Sequence, residues 1–381
     1  MTASHPPDHP ARPPIPPLTA LRFFAATLVV IYHYDANRFT RLPEFVRSWL
    51  ETGYEAVTFF FLLSGFVLAY VYHRLPTEQD GGPPIPRLAA FFAARAARLF
   101  PALYVSLLVA LPFFIAPGLF DEDDNLSPRV LGEGLLVLTG LQAWWPPAAL
   151  AWNPPAWSVS VELFMYATFP LVLLAMRRIA APAMLVGAFV LVVLVALLRV
   201  DLITRGSHVE ADNWYNFTHF FPLFHLPQFI FGAALGRAYL LGPRLQPATA
   251  AWMFAAGIVG LLIMLFELDG LPLRIRSNAV LVIFFAMIVY GAAQPGHAAY
   301  RLLSLPPLLW LGNISYSIYA LHQPLEYWWD WGGPREILGL SPLVDFLAYF
   351  AVVLAASALC YRLVEVPMRQ RIRRWAPSSR A

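Results

Sequence analysis

Lysine is absent from this chain of 381 residues, so all 26 Lys-plus-Arg positions are arginine. Charge of either sign is scarce. Asp, Glu, Lys and Arg make up 13% of the sequence, against roughly a quarter in soluble domains. Cysteine occurs once, at Cys360, which excludes an intramolecular disulfide and any paired-cysteine metal or redox motif. A Walker loop, a dinucleotide fingerprint, a His-Glu-x-x-His zinc site and a nucleophile elbow are all missing, so nucleotide hydrolysis, nicotinamide redox and zinc chemistry are not indicated. No metal and no bound cofactor is expected. The net charge of +3 is small and the arginines are spread among loops, a pattern of membrane topology and not of a nucleic-acid surface.

Apolar residues, in contrast, form 59% of the chain, and the mean hydropathy is +0.59. The apolar runs are about twenty residues long, the length of a helical membrane span. A barrel would show short alternating strands instead. The fold class is therefore an all-α integral membrane protein, a bundle of about ten transmembrane helices. The spans are placed at 18–36, 54–72, 100–116, 157–176, 182–199, 222–240, 249–267, 278–294, 306–326 and 342–364. An eleventh run, 129–146, reads as a re-entrant or interfacial helix. Keeping it from crossing places Arg95, Arg98, Arg177, Arg178, Arg237 and Arg362 on the cytoplasmic side, which satisfies the positive-inside rule. Both termini are then cytoplasmic and the protein is a multi-pass protein of the cytoplasmic (inner) membrane. Three parts follow: a disordered tail at 1–17 without signal-peptide layout, a transmembrane domain at 18–366, and a basic tail at 367–381.

Charges inside such spans are costly and mark candidate sites. Arg22 and His33 share one face of the first span, roughly 16 Å apart along the axis. His33 has the imidazole needed to take a proton from a hydroxyl; an interfacial histidine bonded to a neighbouring helix is the plainer alternative. Arg22 suits a phosphate or carbonyl of a ligand entering from inside, or else snorkels to the surface. Glu162 lies in Trp157-Ser158-Val-Ser-Val-Glu162, at a depth similar to that of His33. A carboxylate there orients an imidazole, or forms a structural ion pair with an arginine. Ser64-Gly65-Phe66 reads first as close helix packing, with Ser64 also placed to touch substrate. Arg95 and Arg98, one turn apart, suit a phosphate or pyrophosphate, or serve topology alone. Asn313, Tyr316, Tyr319 and His322 bring polar groups to the outer part of the ninth span. Trp144-Trp145 and Trp328-Trp329-Asp330-Trp331 read as interface belts.

In this order the motifs resemble the membrane acyltransferase-3 family. Arg22 with ten residues to His33, then Phe60-Phe-Leu-Leu-Ser64-Gly65-Phe66, Arg95-x-x-Arg98-Leu-Phe-Pro101 and Trp157-Ser158-Val-Ser160-Val-Glu162 follow its series. Phe231-Gly232 with Gly236-Arg237, then Gly312-Asn-Ile-Ser-Tyr-Ser-Ile-Tyr319 with His322, and Glu365-Val-Pro367 complete it. The resemblance implies transfer of an acyl group, usually acetyl, from cytoplasmic acyl-coenzyme A to a hydroxyl of an extracytoplasmic or membrane-bound acceptor. Such acceptors are sugars, lipids or macrolides, with a carbohydrate the leading expectation. It makes His33 the essential histidine, Arg22 its partner, and Arg95 and Arg98 donor-side residues. Glu162 is expected to orient His33. Ser64, Trp157, Ser158, Asn313, Tyr316, Tyr319 and His322 are expected to line the acceptor side. Some members carry a soluble hydrolase-like domain after the last span; none follows here, so no fused second step is expected. A transporter or flippase using Arg22, Glu162 and His33 as a proton relay is the rival reading.

Overall fold

Proline opens helix after helix in this chain, because its missing N–H is one of the donors a helix start leaves unpaired anyway. In the computed structural model, which describes residues 13–34, 52–72, 84–116, 127–206, 211–267 and 278–375, seven helices begin on it. They are α1 (Pro16–His33), α3 (Pro84–Ile115), α4 (Pro128–Thr139), α9 (Pro247–Glu267), α12 (Pro306–Gly332), α13 (Pro334–Leu338) and α14 (Pro342–Cys360). The other helices are α2 (Ala56–Val71), α5 (Trp157–Arg178), α6 (Ala181–Arg205), α7 (Ala211–Phe220), α8 (Leu226–Leu241), α10 (Asn278–Ala293), α11 (Ala298–Leu303) and α15 (Val366–Trp375). No strand occurs among the described residues. The all-α reading holds.

Seven segments among the described residues are long and apolar enough to cross a membrane: Pro16–His33, Thr52–Val71, Leu88–Ile115, Pro154–Arg178, Ala181–Arg205, Pro247–Leu265 and Pro342–Ile372. The expected spans at 222–240, 278–294 and 306–326 fall on α8, α10 and α12. Helices α8 and α10 have only 16 residues each, a rise of about 24 Å against a hydrocarbon core of about 30 Å. Helix α12 has the length, 27 residues, but interrupts its apolar surface with Asn313, Ser315, Ser317, His322 and Gln323.

The 129–146 run forms no continuous helix of spanning length. Helix α4 has 12 residues, a rise of about 18 Å. It stops at Gly140, whose φ of 71° only glycine adopts without strain. There the Leu141 N–H donates to the Leu136 carbonyl at 2.8 Å, closing the helix end. Short 3₁₀ turns carry the chain on to α5. The last span, conversely, does not end at Pro367. A π turn over Tyr361–Glu365 joins α14 to α15, so helix continues into the expected basic tail as far as Trp375. Of the N-terminal tail, residues 1–12 lie outside the described residues, as do Arg38, Arg41, Arg47 and Asp121 to Asp124.

The most extensive helix pairs are α2 with α8, α1 with α12 and α9 with α10, and small residues allow them. Gly65 and Gly232 face each other's helices. A Cβ on Gly65 would stand 2.0 Å from the Phe229 carbonyl oxygen, and one on Gly232 would stand 1.9 Å from that of Leu62. Gly312 lets α12 approach Thr19 of α1 in the same way, with 2.0 Å to its carbonyl oxygen. Backbone contact of this kind is how membrane helices gain packing where lipid offers no hydrophobic drive. Helices α1, α2 and α12 are thereby fixed around one interior, and α3 and α5 complete it.

Gly232→Val is expected to part α2 from α8, because the obstructing atoms are backbone and cannot move aside. Size-exclusion of the detergent-extracted variant should show loss of most of the monodisperse protein, whereas Gly187→Val, which meets open space on α6, should behave as wild type.

Candidate active site

The interior encloses a cavity of about 720 Å³, counted to its mouth. Arginines from two helices reach it: Arg22 from α1, and Arg95 and Arg98 from α3. Glu162 and Tyr166 of α5 and Ser64 of α2 complete its polar wall. Helix packing and cavity lining fall here to adjacent residues, Gly65 and Ser64. Gly65 turns toward α8 while the Ser64 hydroxyl donates to Glu162 Oε1 at 3.3 Å. Tyr166, one turn after Glu162, donates to the same oxygen. Tyr166 was not singled out in the sequence, although its i+4 spacing from Glu162 puts both on one helix face.

The charges do not cancel. Three guanidiniums line the cavity against one carboxylate. Among the described residues, Arg22, Arg95 and Arg98 form no ion pair. Arg98 and Arg95 repel Arg22, and Glu162 attracts it. Arg95 lies over the rings of Tyr72 and Tyr166, 5.6 and 5.7 Å from their centroids, a cation–π placement that offsets part of its desolvation. Its Nη2 donates to the Tyr72 hydroxyl at 3.4 Å, and its buried Nε has no hydrogen-bond partner. Guanidinium groups with free donors are the chemistry that recognises phosphate-bearing anions.

Phe60, Tyr316 and Tyr319 form the wall nearest the histidines. The Tyr319 hydroxyl lies 2.7 Å from Ser158 Oγ and 3.0 Å from the Pro155 carbonyl oxygen. The Tyr316 hydroxyl donates to the Leu99 carbonyl at 2.9 Å. Beyond Tyr319 sit His33 and His322, rings 4.9 Å apart and edge to face; neither is part of the cavity wall. The His322 ring lies 5.9 Å from that of Tyr319. His33 Nδ1 is 2.9 Å from the Val29 carbonyl oxygen and His322 Nδ1 is 2.7 Å from that of Tyr319. A carbonyl only accepts, so each Nδ1 carries its proton and each Nε2 keeps a lone pair. The buried His322 Nε2 has no hydrogen-bond partner.

Three expectations change. Glu162 does not orient His33: its hydrogen bonds go to Ser64 and Tyr166, and those of His33 go to Val29. A carboxylate in low dielectric is drawn to the nearest cations, and here those belong to the arginine cluster. Asn313 lies exposed on the far face of α12. Trp157 stands behind the cavity wall, its ring 4.9 Å from Phe220, 5.1 Å from His225 and 6.0 Å from Phe61. Helix α12 holds its position here partly through Pro324. Proline has no N–H for the Ala320 carbonyl, and Asn153 Nδ2 fills that place at 3.1 Å.

The family model described as an acyltransferase domain matches residues 16–362. The chain belongs to the acyltransferase-3 family. It is 23% identical over 374 residues to O-acetyltransferase OatA of Staphylococcus aureus (strain NCTC 8325 / PS 47), covering 94% of this chain and 57% of OatA. With YrhL of Bacillus subtilis (strain 168), provisionally named a peptidoglycan O-acetyltransferase, it shares 24% identity over 379 residues, 93% of this chain and 55% of YrhL. With acyltransferase MdmB of Streptomyces mycarofaciens it shares 26% identity over 393 residues, 96% of this chain and 95% of MdmB. The chain thus spans about half the length of OatA and YrhL. No solved structure matches it.

Glu162→Gln keeps the reach of the side chain to Ser64 and Tyr166 but removes the one negative charge among the arginines. The loss is expected to lower stability by about 1–3 kcal/mol, read as a lower melting temperature in detergent. Added pyrophosphate should raise the melting temperature of the variant more than that of wild type.

Proposed function

We propose that this protein is a membrane O-acyltransferase that takes an acyl group, acetyl in the first instance, from acyl-coenzyme A and passes it to an acceptor hydroxyl, most readily that of a carbohydrate. The observation that carries the reading is the surplus of guanidinium over carboxylate in a cavity one tyrosine ring away from a histidine pair. Coenzyme A brings the missing negative charge on its phosphates, and Arg95, Arg98 and Arg22 supply donors for them. Its pantetheine arm is apolar enough for the stretch lined by Val57, Phe60 and Phe61. The names of OatA and MdmB support the reaction class.

In this reading the thioester lies against the Tyr319 wall. His33 Nε2 accepts the proton of the acceptor hydroxyl while that oxygen attacks the thioester carbonyl. The carbon–sulfur bond then breaks, and the coenzyme A thiolate takes up the proton. Glu162 holds Tyr166 and offsets the arginines; it is not the orienting partner of the base. The cytoplasmic origin of the donor and the inner-membrane setting with both termini inside belong to this proposal. They rest on the arginine bias of the loops. A proton relay through Arg22, Glu162 and His33 gains nothing from the geometry, because Glu162 and His33 contact different partners.

The test uses vesicles carrying the purified protein, with acetyl-coenzyme A supplied on one face and native cell envelope as acceptor. Thiol release and acylated product should appear together, and only with donor on the arginine-rich side. His33→Ala should abolish transfer and still bind acetyl-coenzyme A. The double variant Arg95→Ala, Arg98→Ala should weaken donor binding at least tenfold, since each charge-assisted bond is worth about 1.5–3 kcal/mol. Full transfer by His33→Ala would remove it from the chemistry.

A further inference from the structure

We propose that Asp345 is a positioning residue for the His33–His322 pair, with Tyr349 one turn further along α14 sharing that role. The inference rests on the reading of His33 as the base. Asp345 is 1% exposed, so its carboxylate is costly unless satisfied. Both oxygens are committed to other helices. Oδ2 accepts from the hydroxyl of Tyr34, the residue after His33, and Oδ1 accepts from Trp329 Nε1 of α12 at 3.0 Å. Tyr349 lies on the same face of α14 and donates to the carbonyl of His322 itself at 2.9 Å. Its ring stacks on that of Tyr34, 4.9 Å between centroids and 22° between planes. One helix therefore holds the side chain of the residue after one histidine and the backbone of the other.

An acid in the first turn of a helix often does no more than complement the helix dipole. Such a side chain points at the free N–H groups of its own helix. Asp345 instead bridges the ends of α1 and α12, the two helices that bear the pair. Among the described residues the imidazoles hydrogen-bond to their own helices through Nδ1, at Val29 and Tyr319. Their mutual geometry thus depends on where those two helix ends lie, and α14 ties those ends together.

The test compares wild type with Asp345→Asn, Tyr349→Phe and Asp345→Glu in vesicles of native envelope, with radiolabelled acetyl-coenzyme A as donor and incorporated label as readout. Equilibrium binding of acetyl-coenzyme A counts the folded protein in each sample. Asp345→Asn and Tyr349→Phe are expected to lower kcat per binding site at least tenfold and leave KM for acetyl-coenzyme A within twofold. The acidic limb of the pH profile should shift, and Asp345→Glu should recover part of the loss. A merely structural role would reduce the number of binding sites and leave kcat per site unchanged; that result overturns the proposal, as does a raised KM at constant kcat. Label absent from wild type would defeat the transferase reading itself. Label present in wild type with unaltered variants would defeat only the role of Asp345.

Discussion

A guanidinium in a low-dielectric interior must be solvated by something, and most of this structure can be read as the means of doing so. Three of them share one cavity with a single carboxylate. Tyrosine rings beneath Arg95, the field of Glu162 and the space left for an outside anion together stand in for water. The contributions come from several helices, with Glu162 and Tyr166 both on α5. The arrangement therefore exists only while α1, α2, α3 and α5 keep their relative places, and the cavity is as much a product of the packing as of its own residues.

Much of that cavity was legible in the sequence, because polar groups are rare in apolar spans and stand out singly. Arg22, Ser64, Arg95, Arg98, Ser158, Glu162, Tyr316 and Tyr319 all reach it. What sequence could not supply was direction around each helix axis. Glu162 and His33 were expected to meet because they lie at similar depth. Depth follows from counting residues at 1.5 Å each, but azimuth depends on how neighbouring helices are turned. Asn313 was misplaced for the same reason, since it sits within a polar run but on another face. Asp345 escaped notice because a first-turn acid near a helix start looks ordinary until its distant partners are known. The span count is reached only in part: seven segments have the length and apolarity, while α8 and α10 are apolar enough but have 16 residues each.

The histidine pair and the arginine cavity are separate pockets of polarity with Tyr319 between them. That ring is anchored through its hydroxyl to the start of α5, and its backbone carbonyl accepts from His322. A single residue thus borders both the arginine cavity and the histidine pair. The local physics accounts for why the two halves of the site stand back to back, not in one open chamber.

The glycine contacts between α2 and α8 carry a mechanical meaning. Where main chain touches main chain there is no layer of rotatable groups to absorb sliding or twisting. These two helices therefore act as one stiff keel, on which Ser64 rides. Whatever rearrangement accompanies turnover has to pass through other seams, while the keel stays still and keeps the serine side of the chamber in register.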